Sequence, residues 1–298
     1  MNLIERAATA EPRRGAGADD RNGAMAPPRD VGEPFRIDEK FLARQGFFTP
    51  TEKPQRLALE LRAVKRRLLR RLGFKKTGAR RRSLGEDGVL SGPNRNVVLM
   101  TSTRPAEGKT FTAINLALSF AMEDGIGTVL VDADVPRPKV LSHFGLSAGP
   151  GLTDLIARPS DVKLQDCLLR AEDAPLSILS EGEYAGNAKE LFLREETGAF
   201  IRELSQRFAD RIVIIDAPPV LATAEASILA RYVDEVCFVI EANGTPEPAV
   251  ATALDEVLDV TDRVSLVLNR CLVAESAIHY GSYEEYYYKT GRSDRREG

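Results

Sequence analysis

The sequence predicts an α/β protein: a mostly parallel sheet with helices on both faces. Between Val97 and Asn269, short, largely β-branched apolar runs alternate with longer stretches of helical period. Strands that alternate with helices imply right-handed βαβ units. Such a sheet places its ligand at the carboxyl ends of the strands.

The expected strands are Val97–Met100, Thr128–Val131, Leu176–Leu179, Ile212–Ile215, Val236–Ile240 and Val264–Leu268, and the helices are Thr110–Met122, Asn187–Phe208, Ala222–Tyr232 and Pro246–Val260. Upstream, Leu57, Leu61, Val64, Leu68 and Leu72 recur at spacings of three and four, which predicts an amphipathic helix over 54–72 stopped by Gly73. Its other face carries Arg62, Lys65, Arg66, Arg67, Arg70 and Arg71, followed by Lys75, Lys76 and Arg80 to Arg82. That face is either solvated or meets an anionic surface or acidic partner subunit. Residues 1–35 hold hardly any large apolar side chains and are expected to be disordered. The expected organisation is thus 1–35 disordered, 36–92 carrying the basic helix, 93–275 the alternating α/β domain, and 276–298 a flexible tail. No internal repeat is present.

The 298 residues carry 41 Lys+Arg against 44 Asp+Glu, a net charge of -3, so nothing in the total requires a nucleic-acid or anionic-membrane partner. Three cysteines, Cys167, Cys237 and Cys271, stand far apart, which favours a reducing compartment and shows no zinc spacing. There is no run of about 18 apolar residues and no signal-peptide core. A cytoplasmic location is expected. His143 and His279 lack ligand neighbours at useful spacing and read as surface or satisfied residues. Five of the seven tyrosines, Tyr280, Tyr283, Tyr286, Tyr287 and Tyr288, lie in the last 19 residues. No large aliphatic residue follows Ile278, so these rings have nothing to pack against; they form either an interaction patch or a set of phospho-acceptors.

Directly after the first expected strand comes Ser102-Thr103-Arg104-Pro105-Ala106-Glu107-Gly108-Lys109-Thr110-Phe111, opening a helix. The Gly-Lys-Thr end fits a P-loop, with Thr103 where its first glycine usually stands. Backbone N–H groups and the helix N-terminus would face phosphates, Lys109 would add a point charge, and the Thr110 hydroxyl would ligate Mg²⁺. Two further strands end in Asp132-Ala133-Asp134 and in Asp216-Ala217-Pro218-Pro219. A strand-end Asp often caps a turn, but beside a P-loop these carboxylates can hold a metal and orient a nucleophile.

The GKTFTAINLA run (108–117), VLVDADVPRP (129–138), IVIIDAPP (212–219), RIDEKFLARQGFFTP (36–50) and the Tyr-rich tail resemble the bacterial P-loop tyrosine kinases, in particular the autokinases of exopolysaccharide and exosortase loci. The resemblance implies a P-loop NTPase-type fold and a non-specific protein-tyrosine kinase. It implies ATP and Mg²⁺ as cofactors and trans-phosphorylation of the five tail tyrosines in a homo-oligomer. Lys109, Asp132 and Asp134 match its catalytic residues, with Asp132 drawing the proton from the tyrosine hydroxyl. Thr110, Asp134 and Asp216 match its metal residues, and residues 103–111 its nucleotide loop. Asn269, with Arg270 after it, matches an adenine-recognising Asn, though a strand-end turn explains Asn269 equally well.

The same resemblance implies a separate membrane chain-length or activator protein, a cognate tyrosine phosphatase, no nucleic acid, and peripheral association with the inner membrane through a partner. Arg104 stands where the related partitioning and cell-division ATPases carry a second lysine. Two departures stand out. Pro136 interrupts the basic pair expected after Asp134, and Leu59 replaces the Glu of the self-association pattern that Arg62 and Lys65 continue. The alternatives are a partitioning-type ATPase switch without kinase activity and a nucleotide-binding scaffold; the tyrosine tail argues for the kinase.

Overall fold

The computed structural model describes residues 32–50, 55–74, 95–184 and 186–271. Eight strands form one sheet: β1 (Glu33–Phe35), β2 (Val97–Ser102), β3 (Thr128–Asp132), β4 (Leu168–Ala171), β5 (Leu176–Leu179), β6 (Ile212–Asp216), β7 (Glu235–Glu241) and β8 (Val264–Asn269), in the order β1-β4-β5-β3-β6-β2-β7-β8. All pairs are parallel except β4 with β5. The expected mostly parallel sheet is thus found. The antiparallel β4 and the short edge strand β1 were not legible, because neither has an apolar run long enough to stand out.

Alternation along the strands builds two cores. Val97, Leu99, Val129, Val131, Val213 and Ile215 face helices α5 (Leu152–Ala157), α7 (Ala188–Phe192), α8 (Glu195–Arg207), α9 (Glu225–Ala230) and α10 (Glu247–Leu258), with the short α6 (Leu164–Cys167) at the margin. Val98, Met100, Leu130, Ile212 and Ile214 face α1 (Glu39–Arg44), α2 (Gln55–Leu72), α3 (Lys109–Leu118) and α4 (Val140–Phe144). Side chains of successive strand residues point to opposite faces, so a strand covered on both sides is apolar throughout.

Three expectations need correction. The single helix expected over 187–208 is two, broken at Leu193–Arg194. The helix expected over 110–122 ends as α3 at Leu118 and continues as a π-helical turn, Ser119–Glu123. Glu33–Phe35, inside the segment expected to be disordered, pairs with β4. Residues 1–31 and the tail tyrosines lie outside the described residues, as do His279 and the basic run at 75–82.

The amphipathic helix is present as α2, and Gly73 ends it with φ 64° as the Gly73 and Phe74 N–H groups bond back to Arg70 and Leu69 carbonyls. Its basic face is not wholly solvated. Lys65 is 3% exposed and pairs with Asp124 at 2.6 Å, and Arg71 pairs with the buried Glu235. The chain before α2 is fastened to the P-loop helix: the buried Asn115 on α3 accepts the Phe48 N–H at 2.6 Å, and Phe47 stacks on Phe111 at 5.0 Å. None of the described helices is long and apolar enough to cross a membrane.

Candidate functional site

Adjacency of β3, β6 and β2 brings Asp132, Asp216 and Ser102 to one edge, and the turn after β2 leads into α3. The register pairs Asp132 with Asp216 directly. The loop between Thr103 and Gly108 needs left-handed backbone at Ala106 (φ 69°) and Gly108 (φ 93°). At Gly108 a Cβ would also lie 2.1 Å from Asn269 Nδ2, so only glycine fits.

Lys109 Nζ lies 2.6 Å from Asp134 Oδ2, 3.5 Å from Asp216 Oδ1 and 3.2 Å from Thr110 Oγ1. The Thr110 hydroxyl donates to Asp216 Oδ2 at 2.7 Å. The structure therefore brings together the lysine, hydroxyl and two carboxylates expected from separate motifs. Burial opposes the Lys109 charge, but Asp216 and Asp134 outweigh it and its pKa rises. Burial drives the Asp216 pKa above the ordinary carboxylate range, against the pull of Lys109 and the Thr110 hydroxyl. Asp216 Oδ1 is buried without a hydrogen-bond donor, its contact with Lys109 being a charge contact at 3.5 Å.

Asp132, matched by resemblance to the residue that draws the tyrosine proton, is enclosed by backbone donors. It is fully buried, its Oδ2 accepts the Lys139 and Val140 N–H groups at 2.9 Å each, and its Oδ1 accepts the Asp134 N–H at 3.1 Å. In this arrangement it anchors the start of α4. Burial, reinforced by Asp216, raises its pKa despite those bonds.

Other expected site residues divide. Arg104, Pro105 and Ala106 are exposed on the loop. Phe111, the last residue of the expected nucleotide loop, packs its ring on Phe47. Glu107 turns its carboxylate inward, where it accepts the Thr103 and Arg104 N–H groups at 2.7 and 3.0 Å. Asn269 donates to the Glu107 carbonyl at 2.9 Å, and Arg270 pairs with Glu241 at 2.6 Å. Thr245, whose hydroxyl donates to Glu107, was missed; a lone Thr in a loop carries no pattern. His143 is satisfied by Gln45 at 2.8 Å, as expected of it.

A strand, a glycine-bearing loop and a helix opening on Lys-Thr, with acidic strand ends beside them, define a P-loop α/β protein. Comparison with known proteins narrows this. No family model matches the chain. It is 34% identical over 158 residues to tyrosine-protein kinase YwqD of Bacillus subtilis, covering 52% of this chain and 64% of that one. It is 32% identical over 144 residues to tyrosine-protein kinase ptk of Acinetobacter johnsonii, covering 48% of this chain but 19% of that one. The chain thus matches less than two thirds of either relative's length. The solved VpsO kinase domain superposes with a TM-score of 0.54 at 36% identity, over 60% of this chain and 86% of that domain. The chain belongs to the bacterial P-loop tyrosine kinase family.

Proposed function

We propose that this chain is an ATP- and Mg²⁺-dependent protein-tyrosine kinase that phosphorylates its own C-terminal tyrosines in trans and thereby regulates exopolysaccharide synthesis or export. The convergence of Lys109, Thr110, Asp134 and Asp216 carries the reading. The relatives YwqD and ptk, both tyrosine-protein kinases, support it.

These residues fit a magnesium nucleotide. The buried, undonated Asp216 Oδ1 and the adjacent Thr110 Oγ1 are hard oxygen donors of the kind Mg²⁺ takes alongside phosphate and water, with Asp134 within reach of the same lysine. Bound there, the metal would neutralise charge on the phosphates. Lys109 would exchange its carboxylate partners for phosphate oxygens, remaining protonated throughout. The N–H groups of the first turn of α3 face the same space, since the Thr112 N–H bonds back to the Gly108 carbonyl and those before it have no intrahelical acceptor. Asp132 is fully buried, so for it to take the tyrosine proton the segment Asp134–Val140, which covers both of its oxygens, would have to move.

The partners proposed with this reading are a second copy of the chain, a separate membrane activator and a phosphatase. Because Lys65 is held by Asp124 inside the chain, self-association through α2 would use its exposed arginines rather than Lys65. The test is incubation with ATP and Mg²⁺ read by phosphotyrosine antibody. Signal must vanish in Lys109→Met and in a variant with all five tail tyrosines changed to Phe. Lys109→Met protein mixed with tail-deleted active protein must become labelled if transfer is intermolecular. ATP hydrolysis without phosphotyrosine would sink the proposal.

A further inference from the structure

We propose that Glu107 is a positioning residue: its carboxylate holds the phosphate loop in its binding shape and ties it to the ends of β7 and β8. This rests on the nucleotide-binding part of the function proposed above.

Glu107 is 2% exposed. One oxygen accepts the Thr103 and Arg104 N–H groups at 2.7 and 3.0 Å, and the other accepts the hydroxyl of Thr245, in the connection after β7. Its main-chain carbonyl accepts Asn269 Nδ2, at the end of β8, at 2.9 Å. A single residue thus joins three strand ends of the sheet.

A carboxylate buried in a loop that faces phosphate repels the ligand, so its value there must be geometric. The loop passes through left-handed backbone at Ala106 and Gly108, on either side of Glu107. Such a path is held only where surrounding contacts over-determine it. By engaging the N–H groups of Thr103 and Arg104, Glu107 fixes the first half of the loop. The second half then presents the N–H groups at the start of α3. The tie to Asn269 is close, since Gly108 has no room for a Cβ beside that amide.

The experiment compares Glu107→Ala, Glu107→Gln and Thr245→Val in the full chain. It measures backbone hydrogen exchange at Thr103 and Arg104 without ligand, and binding of ADP with Mg²⁺ by calorimetry. Glu107→Ala should speed exchange at both amides and weaken ADP, each by about tenfold or more. Gln can accept the two N–H groups through its carbonyl oxygen and donate to the Thr245 hydroxyl, so it should stay within about threefold of the original on both readings. Thr245→Val, which deletes one contact without touching the loop backbone, should weaken ADP by about threefold to fivefold.

Glu107→Ala with unchanged exchange and affinity would overturn the proposal. So would Glu107→Gln as impaired as Ala, because charge rather than bonding would then be responsible. Unchanged binding in Thr245→Val would overturn the link to β7. If the unaltered chain binds no ADP, the functional reading fails, and the exchange measurements still decide the role of Glu107.

Discussion

Lys109 Nζ sits between Asp134 and Asp216, 2.6 Å from one carboxylate and 3.5 Å from the other. Three elements distant in sequence meet there, and the cation is what allows two buried carboxylates to lie so close. Lys109→Met should therefore do two things. It should abolish ADP binding, and it should destabilise the ligand-free chain by about 2–4 kcal/mol, because the carboxylates lose their counter-charge. Urea denaturation in EDTA measures the second effect. An unchanged midpoint would mean that the carboxylates are screened by something other than Lys109.

The phosphate loop makes opposite predictions at two neighbouring positions. Ala106 has φ 69°, so Ala106→Gly should be neutral or stabilising by up to about 1 kcal/mol. Gly108→Ala combines φ 93° with a Cβ 2.1 Å from Asn269 Nδ2 and should displace Asn269 from the Glu107 carbonyl. Thermal melting should fall for Gly108→Ala and hold or rise for Ala106→Gly, and ADP calorimetry should show weakened binding in Gly108→Ala.

Asn115 joins the segment before α2 to the P-loop helix by accepting the Phe48 N–H and donating to the Phe111 carbonyl. Asn115→Ala removes this acceptor from the Phe48 N–H, at a cost of about 1–3 kcal/mol. Hydrogen exchange at Phe48 should accelerate more than at the strand residues Val98 and Leu130. Uniform acceleration would show instead that the segment unfolds only with the whole sheet.

The three thiols should separate by reactivity. Burial pushes the Cys167 pKa up to about 11 and the Cys237 pKa up to about 12, so both stay neutral thiols near pH 8. Cys271 is half-exposed. Iodoacetamide treatment of the folded chain followed by mass spectrometry should show one alkylated cysteine, Cys271, and three after denaturation.

Lys109 and Thr110 announced themselves because a phosphate loop is a contiguous pattern, and Asp132, Asp134 and Asp216 because apolar strands that end in carboxylates are conspicuous. Gly73 was legible as a helix stop for the same local reason. By contrast, β1 and β4 were hidden, since a strand of three or four residues is defined by its pairing partner and not by its own composition. Lys65 read as part of a basic face, solvated or facing an anionic partner, and its partner Asp124, 59 residues away, carried no local signal.

The sequence by itself determined the alternation of strand and helix, the phosphate loop and the acidic strand ends, because each depends on neighbours along the chain and on local periodicity. Tertiary structure alone decided what those residues do to one another. It closed Asp132 behind the backbone of Lys139 and Val140, set Lys109 between two carboxylates, and turned Glu107 inward to Thr103, Arg104 and Thr245. The physical reason is that burial, charge pairing and hydrogen-bond partners are properties of the space around a residue. Strand order, which brings β3, β6 and β2 side by side, creates that space.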